Sequence, residues 1–269
     1  MDNPVSMRRD GNVAIITVDN PPVNALRHGV RAGLMECFKQ ARDDASVEAI
    51  VVTGAGRTFV AGADITEFGK PSQPPGLMDV ISLIDDIKKP TIAAVHGTPL
   101  GGGLELTMGC HFRVAAAGTR LGLPEIKLGL IPGAGGTQRL PRLVGIEKAL
   151  PMILSGDPIP AKDALKAGLV DDIIEGDLVE GAVKFARNVL AAKRPLTRVK
   201  QVRVVLADRD EAELLPRERR DVAPSDHLLR PGFTSDMEDA RAPHERVVDV
   251  EERDDRSIAR GRQRDLGHK

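Results

Sequence analysis

Two glutamates sit where a carboxylate could handle protons. Glu105 lies in Gly101-Gly102-Gly103-Leu104-Glu105-Leu106, and Glu125 lies twenty residues on, in Leu121-Gly122-Leu123-Pro124-Glu125-Ile126. In the first segment a strand enters glycines and a helix leaves them. Glycine lets another group approach the backbone closely. Amides at a helix N-terminus point outward unpaired, at the positive end of the dipole. The Gly102 N–H can therefore face an oxyanion, and Glu105 rises from the same face of the new helix. In the second segment a carboxylate between Pro124 and Ile126 is poorly solvated. That raises its pKa and suits acid–base work. Each segment also has a plainer reading: a tight strand–helix turn with a solvated Glu105, and a surface Glu125 after a proline turn.

A third segment, Phe59-Val60-Ala61-Gly62-Ala63-Asp64-Ile65, again puts small residues after a strand and a glycine turn. Its backbone N–H groups are approachable. Two such amides from separate turns make an oxyanion hole, where removing one donor typically costs about 3 kcal/mol. Read alone, Asp64 is as well explained as the cap of the next turn. Gly129 to Gly136 (GLIPGAGG) adds a flexible close-approach loop.

Other chemistries lack their residues. The glycine clusters at 54–56, 101–103 and 133–136 show neither the G-x-G-x-x-G dinucleotide fingerprint nor a following Gly-Lys-Ser/Thr. No G-x-S-x-G serine elbow occurs. His96, His111, Cys37 and Cys110 have no metal-ligand spacing, so no metal is expected. His28 reads as an exposed turn histidine and Cys110 as core. Arg139 and Arg142 read as structural ion-pair partners.

The elements that must position these groups alternate. Strands are expected at 12–18, 49–53, 91–95 and 112–117, and helices at about 30–45, 77–88, 102–108, 136–156, 160–167 and 177–193. That pattern is α/β. The 269 residues are 41% hydrophobic, which suffices for a core, and the net charge of −1 argues against a general nucleic-acid binder. Aromatics make up 2%, with no Trp or Tyr, so stacking platforms for bases or sugars are not expected. No apolar run approaches the roughly 20 residues of a membrane helix. Met1-Asp2-Asn3-Pro4 is no signal peptide. The expected setting is a reducing, bacterial-type cytoplasm, since no targeting segment supports a mitochondrial or peroxisomal matrix.

The charge is uneven. Residues 207–269 hold 17 acidic and 13 basic residues, twelve of the bases being arginine. Prolines at 216, 224, 231 and 243 interrupt them. Dense charge without apolar period favours disorder. The expected organisation is one domain over 1–198 and a poorly ordered charged tail over 199–269. An abrupt change of composition near Arg198 fits a shifted reading frame or a degenerate continuation, which translating the other two frames tests. Solvated helices packed on the body are the alternative.

Taken together, the segments resemble the crotonase (enoyl-CoA hydratase/isomerase) family. The resemblance rests on the ordered set Asn24-Ala25-Leu26, the 59–65 segment, GGGLEL at 101–106, Pro124-Glu125-Ile126 and GLIPGAGGTQRL at 129–140, and covers roughly 10–195. It is greatest to the N-terminal hydratase part of multifunctional fatty-acid oxidation enzymes. The further motifs are DNPPVNA at 19–25 and GCHFRVA at 109–115. No dehydrogenase fingerprint follows here.

The resemblance implies a ββα spiral with C-terminal helices, assembled as a trimer or dimer of trimers. It implies an acyl-CoA ligand, with CoA as part of the substrate and no separate cofactor. The thioester oxygen would sit between the amides of Ala63 and Gly102. Glu105 and Glu125 would be the catalytic pair, adding water across the 2,3 double bond of a 2-enoyl-CoA. Ala25, Ala61, Asp64, Ile65, Leu100, Gly101, Pro124 and Gly133 would line the substrate. The other outcomes are Δ3-Δ2-enoyl-CoA isomerisation, other thioester chemistry on the same fold, or an inactive fragment.

Overall fold

The computed structural model describes residues 3–71, 73–202, 204–206 and 246–247. Its centre is a six-stranded sheet in the order β1 (Val5–Asp10), β2 (Val13–Val18), β3 (Ala49–Gly54), β4 (Thr91–Val95), β5 (Phe112–Ala116) and β8 (Asp172–Ile174). β1 is antiparallel to β2, and all later pairings are parallel. Parallel strands are covered on both faces and read as continuous apolar runs. Here the period of two decides which core each side chain enters. Ala14, Ile16, Val18, Ile50, Val52, Ala93 and Val95 face one cluster, and Val13, Ile15, Ala49, Val51, Ile92 and Ala94 face the other.

Helices α1 (His28–Asp43), α2 (Leu77–Asp86) and α3 (Gly102–Gly109) belong to the first face. Helix α7 (Leu178–Ala191) covers the second, where Phe185 meets Phe112 edge-on at 5.8 Å between ring centres. Between them run β6 (Arg120–Leu121), α4 (Gly136–Val144), α5 (Ile146–Ser155), β7 (Ile159–Pro160) and α6 (Ala161–Ala167). β6 pairs with β7, and Leu100 bridges Gly122 in parallel. β9 (Val205–Leu206) pairs with β10 (Arg246–Val247).

The single helix expected at 136–156 is two. Gly145 adopts φ +76° and separates α4 from α5, a backbone conformation L-residues rarely adopt. β1 and β8 were not delimited by the sequence pattern. Of the charged stretch, 199–202, 204–206 and 246–247 lie within the described residues, with Val199 buried and Lys200 bonded to Asp86 at 3.1 Å. Residues 207–245 and 248–269, on which the expected disorder and altered frame bear, lie outside the described residues.

Candidate active site

Helix α3 is apolar except for Glu105 and Thr107, whose hydroxyl donates to Leu104 O, and every one of its residues is buried. Such a helix belongs inside a fold. It places a carboxylate that is 2% exposed, so the solvated-turn reading of Glu105 does not hold. A buried carboxylate needs hydrogen-bond partners. Glu105 Oε1 accepts the amides of Ala134 at 2.7 Å and Gly136 at 2.8 Å. Both donors come from the glycine-rich loop that starts α4. Burial pushes the Glu105 pKa up, while the two amides and the Arg139 charge pull against it.

Glu125 sits in a 3-10 turn, Pro124–Leu128, that ends at Gly129 with φ +70°. It is half-buried rather than on the open surface. Its Oε2 is buried and has no hydrogen-bond partner among the described residues. Burial and the neighbouring Glu105 charge raise its pKa to about 6. Glu125 Oε1 would lie 3.0 Å from a β-carbon added at Gly101, whose φ of +49° already demands glycine. Glu125 thus flanks the turn at Gly101, and the Glu105 carboxylate, held by the 134–136 loop, is near enough for its charge to act on Glu125.

The same turn presents the Gly102 amide, and the second amide is beside it. A β-carbon built on Gly102 would lie 3.6 Å from the Ala63 nitrogen. Neither N–H has an acceptor among the described residues. Ala63 is exposed, Gly102 buried. The two segments are laced by Leu100 N–H to Val60 O at 3.3 Å. Asn24, at φ +56°, anchors the preceding loop. Its Nδ2 donates to the carbonyls of Ala55, Thr58 and Phe59 at 2.8–2.9 Å.

The other expected lining residues divide. Leu100 and Gly101 belong to this turn, Pro124 precedes Glu125, and Ala25 and Ala61 adjoin Leu26 and Gly62, which are joined by an N–H···O bond of 2.9 Å. Asp64 caps its own turn, accepting Thr66 N–H at 3.0 Å and Thr66 Oγ1–H at 2.8 Å, and those bonds lower its pKa. Ile65 is 67% exposed. Gly133 is exposed, and the amides that reach Glu105 come from its neighbours Ala134 and Gly136. His28 is half-buried and bonds Pro74 O at 3.0 Å. Arg142 bonds Gln138 instead of an acid.

Sequence reasoning missed two supports. Asp85 takes a two-pronged bond from Arg139 at 2.5 and 3.1 Å, deep under the Glu105 loop. Arg31 is the second, taken up below. Of the three acids of α2, Asp79, Asp85 and Asp86, only Asp85 is buried with Val80, Ile81 and Ile84, which its place next to Ile84 does not by itself announce. Among the described residues no group of His, Cys, Asp and Glu could hold a metal ion, and no helix is long and apolar enough to cross a membrane.

Fold and site together define an α/β protein in which two free backbone amides, of Ala63 and Gly102, lie side by side next to a glycine turn flanked by Glu125. The chain belongs to the enoyl-CoA hydratase/isomerase family, whose model matches residues 8–220. It is 46% identical over 204 residues to a probable enoyl-CoA hydratase of Bacillus subtilis (strain 168), covering 72% of this chain and 79% of that one. It is 46% identical over 186 residues to the peroxisomal bifunctional enzyme of Danio rerio, covering 69% of this chain and 26% of that one. The chain thus spans about a quarter of the length of the bifunctional relatives it matches. Among solved structures, an enoyl-CoA hydratase from Bacillus anthracis is 33% identical with a TM-score of 0.65, over 70% of this chain and 77% of that one.

Proposed function

We propose that this chain hydrates 2-enoyl-CoA thioesters, as in fatty-acid β-oxidation, with Δ3-Δ2 isomerisation as a side activity. One observation carries the reading: Glu125 lies against Gly101 and feels the Glu105 charge, beside the turn that presents the Gly102 amide next to that of Ala63. Two N–H donors polarise a thioester carbonyl and stabilise enolate-like charge as it develops. That makes C3 electrophilic. Glu105 has Oε1 occupied by two amides, leaving Oε2 to orient a water. The glutamate pair takes a proton from that water as its oxygen bonds to C3, and returns one proton to C2. The net change is addition of one water. The unpaired Glu125 Oε2 and raised pKa support proton exchange near neutrality. CoA enters as part of the substrate, and no separate cofactor is proposed.

Assembly as a trimer or dimer of trimers is part of the proposal. It is supported by exposed apolar residues at helical spacing on α5, Ile146, Leu150 and Leu154, together with exposed Leu128 and Ile131.

Separating products tests the activity. Crotonyl-CoA is expected to give the 3-hydroxy thioester, and a 3-enoyl-CoA the 2-enoyl isomer more slowly. Turnover of the 3-enoyl thioester alone would make the chain an isomerase.

A further inference from the structure

Arg31 is the one buried cation on α1, its side chain 10% exposed, and the glutamate mechanism does not use it. Its guanidinium donates to Leu26 O at 2.6 Å, Glu67 Oε2 at 2.7 Å, Pro75 O at 2.9 Å and Gln73 O at 3.3 Å. The His28 amide adds a bond to Glu67 Oε1 at 2.8 Å. A rigid fork of donors suits such multi-point holding better than an ammonium. One side chain therefore ties three segments together: the turn before α1, the 3-10 turn Ile65–Glu67, and the loop entering α2.

Each segment borders the paired amides. The Leu26 N–H donates to Gly62 O at 2.9 Å. Gly62 C=O and Ala63 N–H belong to one planar peptide unit and point oppositely. Fixing that carbonyl fixes the direction of the Ala63 N–H. Arg31 holds Leu26 from its other end, and holds Glu67 four residues past Ala63. The side chains of Leu26 and Leu77 also flank Gly102, within 3.2 and 2.9 Å of a β-carbon built there.

We propose that Arg31 is a positioning residue that aligns the Ala63 amide with that of Gly102, through Leu26 and Glu67. The inference rests on the reading of these amides as a thioester oxyanion hole. Amides aimed at developing charge stabilise the transition state more than the bound substrate. Loss of alignment therefore lowers kcat more than it raises KM.

The test compares wild type with Arg31→Lys, Arg31→Met and Glu67→Gln, each checked for folding by thermal melting. Crotonyl-CoA hydration gives kcat and KM. The carbonyl stretch of bound butyryl-CoA, read by difference Raman, reports polarisation without turnover. Expected are kcat losses of about tenfold or more for Arg31→Met, partly restored in Arg31→Lys, with the carbonyl shift reduced in the same order. Glu67→Gln is expected to show a smaller loss in the same direction, and it decides the matter if the Arg31 variants do not fold. Folded variants with wild-type kcat and an undiminished carbonyl shift would overturn the proposal. A wild-type protein that neither hydrates crotonyl-CoA nor shifts the butyryl-CoA carbonyl would overturn the oxyanion-hole reading instead.

Discussion

Glu105 Oε1 accepts the Gly136 amide at 2.8 Å and lies 3.0 Å from where a β-carbon on Gly136 would stand. The bond that orients the carboxylate therefore depends on residue 136 having no side chain. Gly136→Ala would also press on Pro132 Cβ at 2.8 Å. The expected result is a folded protein with kcat/KM for crotonyl-CoA lowered by about 10²-fold, since small displacements of a reacting group are that costly. Steady-state kinetics alongside a thermal melt checks it.

Glu125 gives a prediction of opposite sign for stability. Its folded pKa is raised from 4.5 to about 6, chiefly by burial. Folding therefore favours the protonated form. The stability this group contributes is fully present below pH 4.5 and is lost as pH rises through about 6. Glu125→Gln is expected to melt above wild type at slightly alkaline pH, with the difference vanishing below pH 4.5. Calorimetry across that range is the check.

The two carboxylates should also titrate as neighbours. Because the Glu105 charge is one cause of the raised Glu125 pKa, Glu105→Gln should move the Glu125 midpoint downward from about 6. Carbon-13 NMR of the Glu125 carboxyl reads this directly, without activity.

His111 sets an acid limit. Its Nδ1 accepts Thr91 N–H at 3.2 Å and pairs with Thr91 Oγ1 at 2.7 Å, so the ring is held neutral between β4 and β5. Burial, with Arg198 and Arg113 nearby, lowers its pKa from 6.5 to about 4. The unfolded chain binds the proton first, so stability falls as pH drops from 6.5 toward 4. His111→Asn keeps an acceptor for Thr91 and removes the titration. Urea unfolding at stepped pH should show a flatter acid limb for the variant.

Much of the framework was legible because it is periodic. Val13–Val18, Ala49–Thr53 and Thr91–Val95 are nearly continuous apolar runs, with only Thr17, Thr53 and Thr91 among them, as strands buried on both faces tend to be. β1 was not, since its Arg8, Arg9 and Asp10 are exposed on a sheet edge and only Val5 is fully buried. The site's glycines and glutamates were legible as types. Their partners were not: Ala134 looks like any loop alanine, and its amide meets Glu105 across 29 residues of chain. Arg31 hides for the same reason. Three of its four acceptors are backbone carbonyls, which carry no sequence signature.

The central claim is that both glutamates act on one water beside the paired amides. It is tested most directly by the loss of enoyl-thioester absorbance of crotonyl-CoA with wild type, Glu105→Gln and Glu125→Gln. The account predicts hydration by wild type and kcat lowered by about 10²- to 10⁴-fold in each variant, with folding intact. Undiminished hydration in either folded variant would contradict it.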